Sequence, residues 1–251
     1  MSTPVLIGLL VVLALALAWH EAAHAWVADR LGDPTARMLG RVTLNPLKHL
    51  DPFLSVLLPV LMYMTVGIAF GGGKPVPVQV SNFPAQRRRW SFMLVALAGP
   101  GSNLVLAALF TLLYVACAWG GVFEGAVIRN PYGADLVYEP SMLRTVDSML
   151  RGGMPASTAE AVVAMGVLLN LLLAVFNLMP LPPLDGSRVV GWLLPSRLAV
   201  SWYRLDRVGL MLVLGFFFLL DGFQYVQMVL LPMIEQLGLA ADWLIAQRPL
   251  A

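Results

Sequence analysis

The sequence predicts an all-α polytopic membrane protein with about four transmembrane helices, a re-entrant segment and a short cytoplasmic-side β element. Hydrophobic residues make up 59% of the 251-residue chain and charged residues 12%, about half the charged share of an ordinary soluble domain. The mean hydropathy of +0.79 is concentrated in uncharged runs that approach or exceed the roughly 20 residues a helix needs to cross a bilayer. Between the runs lie Arg- and Lys-bearing stretches that the positive-inside rule assigns to the cytoplasm. A formal net charge of +2, from 16 basic and 14 acidic residues, provides no basic stripe for nucleic acid. The single cysteine, Cys117, rules out a disulfide framework or a thiolate metal site. The lipid bilayer is the expected surrounding, and any metal chemistry falls to His and carboxylates.

The first core span is expected over 5–28. Its start, Pro4 to Trp19, contains the small residues Ala14, Ala16 and Ala18 of a cleavable leader but lacks a basic n-region, so it reads as retained. A polar stretch from Asp29 to Asp51 follows, with Arg30, Arg37, Arg41 and Lys48 among the breakers Gly32, Pro34, Gly40 and Pro46. The apolar run 52–70 carries Pro59 and is flanked by basic stretches on both sides, Lys74 and Arg87 to Arg89 lying beyond it, so it is expected to be re-entrant. The second and third core spans are expected over 91–119 and 161–184, joined by a loop holding Glu124, Asp135, Glu139 and Asp147. The region 208–247 reads as a C-terminal span, uncharged from Val208 to Leu220, followed by an interfacial helix; Asp221 between them has no assigned role. The whole of 1–251 is expected to be a single membrane-embedded domain.

Three ionisable residues interrupt the first span. His20, Glu21, Ala22, Ala23 and His24 form H-E-x-x-H, and the i, i+4 spacing stacks both imidazoles on one face of a helix where they can share one zinc ion. Glu21 would then stand beside the metal as general base toward water. Ionisable groups inside a span are costly and default to function. Catalytic zinc takes three protein ligands. His49, in Asn45-Pro46-Leu47-Lys48-His49-Leu50-Asp51-Pro52, is one candidate for the third, although a solvated or capping histidine is commoner in such a loop.

Asp185 is better placed. It follows the uncharged run Ala161 to Leu184, and Pro180, Pro182 and Pro183 force the chain out of helix just before it. Non-helical backbone at membrane depth is tolerated only inside protein or beside a water-filled cavity, which a metal site would supply. Parity agrees: two crossings between His24 and Asp185 return the chain to the depth of the histidines, provided that 52–70 does not cross.

His20-Glu21-x-x-His24 on an early span, Gly99-Pro100-Gly101-Ser102-Asn103 on a middle one, and Asn177-x-x-Pro180-x-Pro182-x-Leu184-Asp185-Gly186 at the end of another resemble the site-2 protease family of intramembrane zinc metalloproteases. The resemblance covers most of Val5 to Gly186 and corresponds to a minimal form, without room for an inserted PDZ domain or a nucleotide-binding module. It implies one Zn2+ held by His20, His24 and Asp185, with Glu21 as base. It also implies a membrane-spanning protein substrate. The uncharged runs and the basic stretch after the first span give a multi-pass location in the cell membrane with the active site toward the cytoplasm. Asn103 and Asn177 match family positions thought to assist substrate binding or catalysis, where an amide could stabilise an oxyanion; helix packing is the plainer role for each.

Lys74-Pro75-Val76-Pro77-Val78-Gln79-Val80 alternates at strand period. Val76, Val78 and Val80 would present one edge competent to pair, and a locally unwound substrate could add to it by β-augmentation. Two rival functions stand beside protease activity. One is a membrane zinc peptidase of another family, such as the prenyl-protein processing type, whose third ligand would be one of Glu124, Glu139, Glu160 or Glu235. The other is a non-catalytic membrane scaffold whose zinc is closed by a fourth protein ligand, with His49 the obvious choice.

Overall fold

The computed structural model describes residues 3–57, 64, 72–123, 127–129, 135–137, 140–151, 153 and 157–248. Its helices are α1 (Thr3–Arg30), α2 (Thr35–Met38), α3 (Arg88–Trp119), α4 (Met142–Leu150), α5 (Thr158–Asn177), α6 (Gly186–Leu193), α7 (Ser196–Arg204), α8 (Gly209–Leu219) and α9 (Gly222–Ala246). Among the described residues, the four helices α1, α3, α5 and α9 are long and apolar enough to cross a membrane. The polytopic helical class is therefore the one expected.

Helix α1 buries a series of small residues, Ala16, Ala18, Ala25 and Ala28, the composition that lets neighbouring backbones approach closely in lipid. It stops where Gly32 takes a φ of +111°, and the N–H of Asp33 returns to the Ala28 carbonyl at 2.9 Å. Helix α3 runs through Pro100 and ends before Gly121, whose φ is +72°. Helix α5 ends where the prolines begin, and the chain turns through 178–185 into α6.

The chain divides into two compact units. One comprises Met1–Leu13, Leu104–Leu172 and Gln224–Ala251. There Ser141 caps α4, and Asp242 accepts from the Ser141 hydroxyl and from the Met142 N–H, both at 2.7 Å. The fully buried Glu160 accepts from the Tyr114 and Thr145 hydroxyls at 2.6 Å each. The other unit comprises Ala14–Asn103 and Leu173–Phe223. In it, Arg89 crosses to the C-terminal end of α6 and donates to the carbonyls of Gly191, Trp192 and Leu194.

Three expectations fare differently. Most of the run 52–70 lies outside the described residues, which show a π-helical turn at Pro52–Leu57. The C-terminal region has two helices, but the span-length one is the second: α8 has 11 residues and α9 has 25. Asp221, with a φ of 52°, is the joint between them, so the polar residue marks a break before the long helix. Among the described residues, paired strands occur in the loop after α3, where β1 (Val127–Arg129) and β2 (Asp135–Val137) form an antiparallel pair with Ile128 opposite Leu136. The segment 72–79 carries neither helix nor sheet pairing, and Val80 opens a 3-10 turn, Val80–Asn82. The extended stretch thus ends at Gln79, one residue short of the expected strand, and both Val78 and Val80 pack against the cluster of Ala28, Phe83 and Val95.

Candidate metal centre

The i, i+4 stacking anticipated for α1 is present. The His20 and His24 rings lie edge to face with centroids 4.6 Å apart, and their Nε2 atoms are separated by 3.0 Å. Both side chains are buried, as is Glu21 on the adjoining face.

Asp185 reaches them from the far side of the sequence. The turn after α5 is tightened by bonds from Leu184 N to Leu181 O at 2.8 Å and from Arg188 N to Asp185 O at 2.9 Å. At Gly186 a Cβ would fall 2.1 Å from the Leu178 carbonyl oxygen, so glycine is what lets the start of α6 sit against the end of α5. Asp185 Oδ2 is then 3.3 Å from both Nε2 atoms. Among the described residues, His20, His24 and Asp185 form the one group of His, Cys, Asp or Glu side chains close enough to hold a metal ion.

The donor chemistry of this trio fits zinc. The Nδ1–H of His24 donates to the Val95 carbonyl at 2.7 Å, and the Nδ1–H of His20 donates to Asn103 Oδ1 at 2.6 Å. These bonds fix both tautomers and turn the Nε2 lone pairs toward Asp185. Three acceptor atoms therefore converge with separations of 3.0, 3.3 and 3.3 Å. A tetrahedral ion with bonds of about 2.0–2.1 Å needs ligand atoms about 3.3–3.4 Å apart, so the trio already forms one face of that tetrahedron. Among the described residues no fourth His, Cys, Asp or Glu side chain joins the trio, which matches the three protein ligands of a catalytic site and not the four of a closed structural one.

Helix α3 supplies the backing. Val95, Gly99 and Asn103 recur every four residues and so share one face. Between the two hydrogen-bonding positions, a Cβ on Gly99 would lie 2.2 Å from His24 Nε2 and 2.6 Å from His20 Cε1. Asn103 is fully buried behind His20, and its amide also donates to the Ala16 carbonyl at 3.4 Å. Asn103 bonds the His20 ring and is not among the residues that line the cavity on the trio. The motif Gly99-Pro100-Gly101-Ser102-Asn103 includes Gly99 without giving it a role, because its contribution is the absence of a side chain.

A cavity of about 520 Å³ opens on the trio, a size ordinary for ligand sites. His20, Glu21, His24 and Asp185 line one part of it, and Asn177 lines the wall formed by the end of α5. The Asn177 amide donates to Leu173 O at 2.9 Å. Opposite Glu21 runs the extended segment, of which Gly73, Val76 and Val78 line the cavity. A Cβ on Gly73 would lie 3.3 Å from Glu21 Oε1. His49 is not in the trio: it is buried, its Nε2 bonds the Thr43 carbonyl at 2.8 Å, and its own carbonyl accepts from Lys74 N at 2.7 Å. It anchors the extended segment, a role its sequence context did not reveal.

A profile of peptidase family M50 matches residues 8–220. The chain is 35% identical to "Putative zinc metalloprotease YwhC" of Bacillus subtilis over 210 residues, covering 83% of this chain and 79% of that protein. It is 33% identical to "Putative zinc metalloprotease Rip2" of Mycobacterium tuberculosis over 172 residues, 68% of this chain and 51% of that protein. It is 44% identical to the Mycolicibacterium smegmatis protein of the same name over 95 residues, 38% of this chain and 35% of that one. No solved structure matches the chain.

Proposed function

The chain belongs to peptidase family M50, the site-2 protease family, and is a zinc metallopeptidase of the membrane; from that premise we propose that it is an intramembrane endopeptidase, cutting membrane-protein substrates within or near a transmembrane helix. The observation that carries this reading is the convergence of His20, His24 and Asp185 beside Glu21 at a helix long and apolar enough to span a bilayer. Zinc held there would supply Lewis acidity toward the scissile carbonyl and toward water. Glu21 takes a proton from the attacking water as the C–O bond forms, then passes it to the amide nitrogen so that the C–N bond breaks and the amine leaves. Asn177, on the cavity wall with its amide hydrogen-bonded to Leu173 O, is assigned to meet substrate backbone. Asn103 acts through His20.

A helical substrate hides its carbonyls in its own hydrogen bonds and must unwind to be cut. Val76 and Val78 line the cavity on an extended segment, which supports pairing of the unwound substrate along that edge; Val80, in the turn beyond, marks its limit. The basic residues at and beyond the end of α1, Arg30, Arg37 and Arg41, favour a site on the cytoplasmic side of a cell membrane. The prenyl-processing alternative needs a glutamate beside the histidines, whereas the third side chain there among the described residues is Asp185, and Glu160 is buried against Tyr114 and Thr145.

The test is zinc content and turnover in detergent, measured on the wild type, Glu21→Gln, Asp185→Ala and Val78→Pro. One zinc per chain in the wild type and in Glu21→Gln is expected, with turnover in Glu21→Gln lower by about 10²- to 10⁴-fold. Asp185→Ala should lose metal, and Val78→Pro should keep metal while cutting poorly. Full activity of Glu21→Gln would refute the mechanism. Full activity of Val78→Pro would remove the substrate strand.

A further inference from the structure

The extended segment that faces Glu21 is tethered at both ends. At its start, the Arg41 guanidinium donates to the Lys74 carbonyl at 2.6 Å and the His49 carbonyl accepts from Lys74 N at 2.7 Å. At its end, Asp33 Oδ2 accepts from the Gln79 N–H at 2.6 Å, and Asp33 Oδ1 accepts from the Asn82 amide at 2.7 Å. Asp33 is fully buried and lies three residues past the end of α1, the helix that carries Glu21 and both histidines. Its bond to Thr35 N, at 3.1 Å, is an ordinary turn contact that any Asp-Pro-Thr loop can make. The bonds to residues 46 and 49 positions away are not required by that turn. They join the far edge of the cavity to the end of the helix that holds the reacting groups.

We propose that Asp33 is a positioning residue for the substrate: through Gln79 and Asn82 it fixes the register of the segment 74–79 against α1, and so selects which substrate peptide bond lies at Glu21. This rests on the reading of 74–79 as the edge where substrate pairs. The side-chain period of a strand is two, so a slip of one residue turns every substrate side chain to the wrong face, whereas a slip of two restores the faces and moves the cut. Loosening the Gln79 end should therefore spread cleavage to bonds two residues away, a signature that general destabilisation does not produce.

The experiment uses the full chain in detergent and a single-span model substrate, an apolar helix of about 20 residues broken by a Gly-Pro pair and tagged at both ends. Product termini are read by mass spectrometry and zinc by elemental analysis. Asp33→Asn keeps one carbonyl acceptor for Thr35 and gives up the second. Gln79→Pro leaves Asp33 intact and removes the N–H it accepts, together with the side-chain amide that donates to Ser81 Oγ. Gln79 has a φ of −94° and an extended ψ of 93°, so proline at this position keeps the extended backbone but draws φ by about 30° toward its fixed value. Gln79→Ala keeps the N–H and serves as control.

The wild type and Gln79→Ala should cut mainly at one bond. Asp33→Asn and Gln79→Pro should keep wild-type zinc, cut also two residues to either side, and lose roughly tenfold in kcat/KM, carried by KM. Cleavage by both variants at the wild-type bond alone, at any rate, overturns the proposal. Loss of zinc from both overturns it too, since the contact would then belong to the support of the metal. If Asp33→Asn does not accumulate, Gln79→Pro decides. Failure of the wild type to cut refutes the endopeptidase reading itself, and a wild type impaired by Val78→Pro but indifferent to Gln79→Pro refutes the register role alone.

Discussion

Replacing Gly99 by alanine should weaken zinc binding without unfolding the protein. The added Cβ would stand 2.2 Å from His24 Nε2, 2.5 Å from His24 Cε1 and 2.6 Å from His20 Cε1, whereas ordinary contact begins near 3.4 Å. Relief requires a displacement of at least about 1.2 Å, several times the roughly 0.2 Å within which metal–ligand distances are held. The rings cannot simply swing aside, because each Nδ1–H is tied to α3 at Val95 or Asn103. Overpacking of this kind costs about 1–3 kcal/mol, and at 1.4 kcal/mol per factor of ten that is roughly 5- to 150-fold in zinc affinity. Zinc retained per chain across a graded chelator series measures it, with circular dichroism as the check on fold. Gly101→Ala is the internal control, since a Cβ there meets nothing within 4 Å; it should leave zinc affinity unchanged and, by stiffening the helix, stabilise by about 0.5–1 kcal/mol. Zinc affinity of Gly99→Ala within twofold of wild type would refute the close approach of α3 to the imidazoles.

Asn103→Ala should remove the partner that orients His20 and cost about 10- to 100-fold in metal affinity; a variant that binds zinc normally but cuts slowly would return Asn103 to a role in substrate binding. Asp33 should make the fold acid-sensitive in a defined window. Burial would raise its pKa, but hydrogen bonds from Thr35, Asn82 and the Gln79 backbone outweigh burial and hold it below the usual Asp value. A depressed pKa contributes stability above the unfolded value of about 3.9, and that contribution is lost as pH falls through the lower folded value. The difference in Tm between wild type and Asp33→Asn should therefore be constant above about pH 5 and shrink below about pH 4. A difference that stays constant down to pH 3 would indicate no such depression.

The centre was legible in the sequence where its chemistry is carried by residue type at fixed spacing. His20, Glu21 and His24 follow from the helical period, and Asp185 from prolines that cannot continue a helix. The helical class followed from hydropathy, but the lengths of the last two helices did not: Val208 to Leu220 is the more apolar run, while the longer helix includes Gln224, Gln227 and Glu235. Tolerance of polar residues on a long helix is set by packing, which hydropathy does not record. The contacts of Asp33, Arg41 and His49 leave no mark on their polar loop, because their partners, Gln79 and Lys74, lie 25 or more positions away. A hydrogen bond between distant loops leaves no local period.

Gly99 and Asn103 show how far the metal centre depends on α3. On α1 the two ligands are four residues apart, and on α3 the carbonyl of Val95, the bare Cα of Gly99 and the amide of Asn103 are also four apart. Each step of four advances both helices by about 6 Å, so the hydrogen-bonding positions bracket the gap and all three act on the same pair of rings. Their effects should therefore not be independent. Once Gly99→Ala has pushed the imidazoles off α3, the His20 to Asn103 bond is already lost, and deleting Asn103 removes little more. The double variant Gly99→Ala/Asn103→Ala should lose less zinc affinity than the product of the two single losses, with a coupling of about 0.5–3 kcal/mol as found for residues sharing one network. Strict multiplicativity of the single losses would mean that the gap at Gly99 and the bond at Asn103 serve the histidines separately, and that α3 acts on each ring alone.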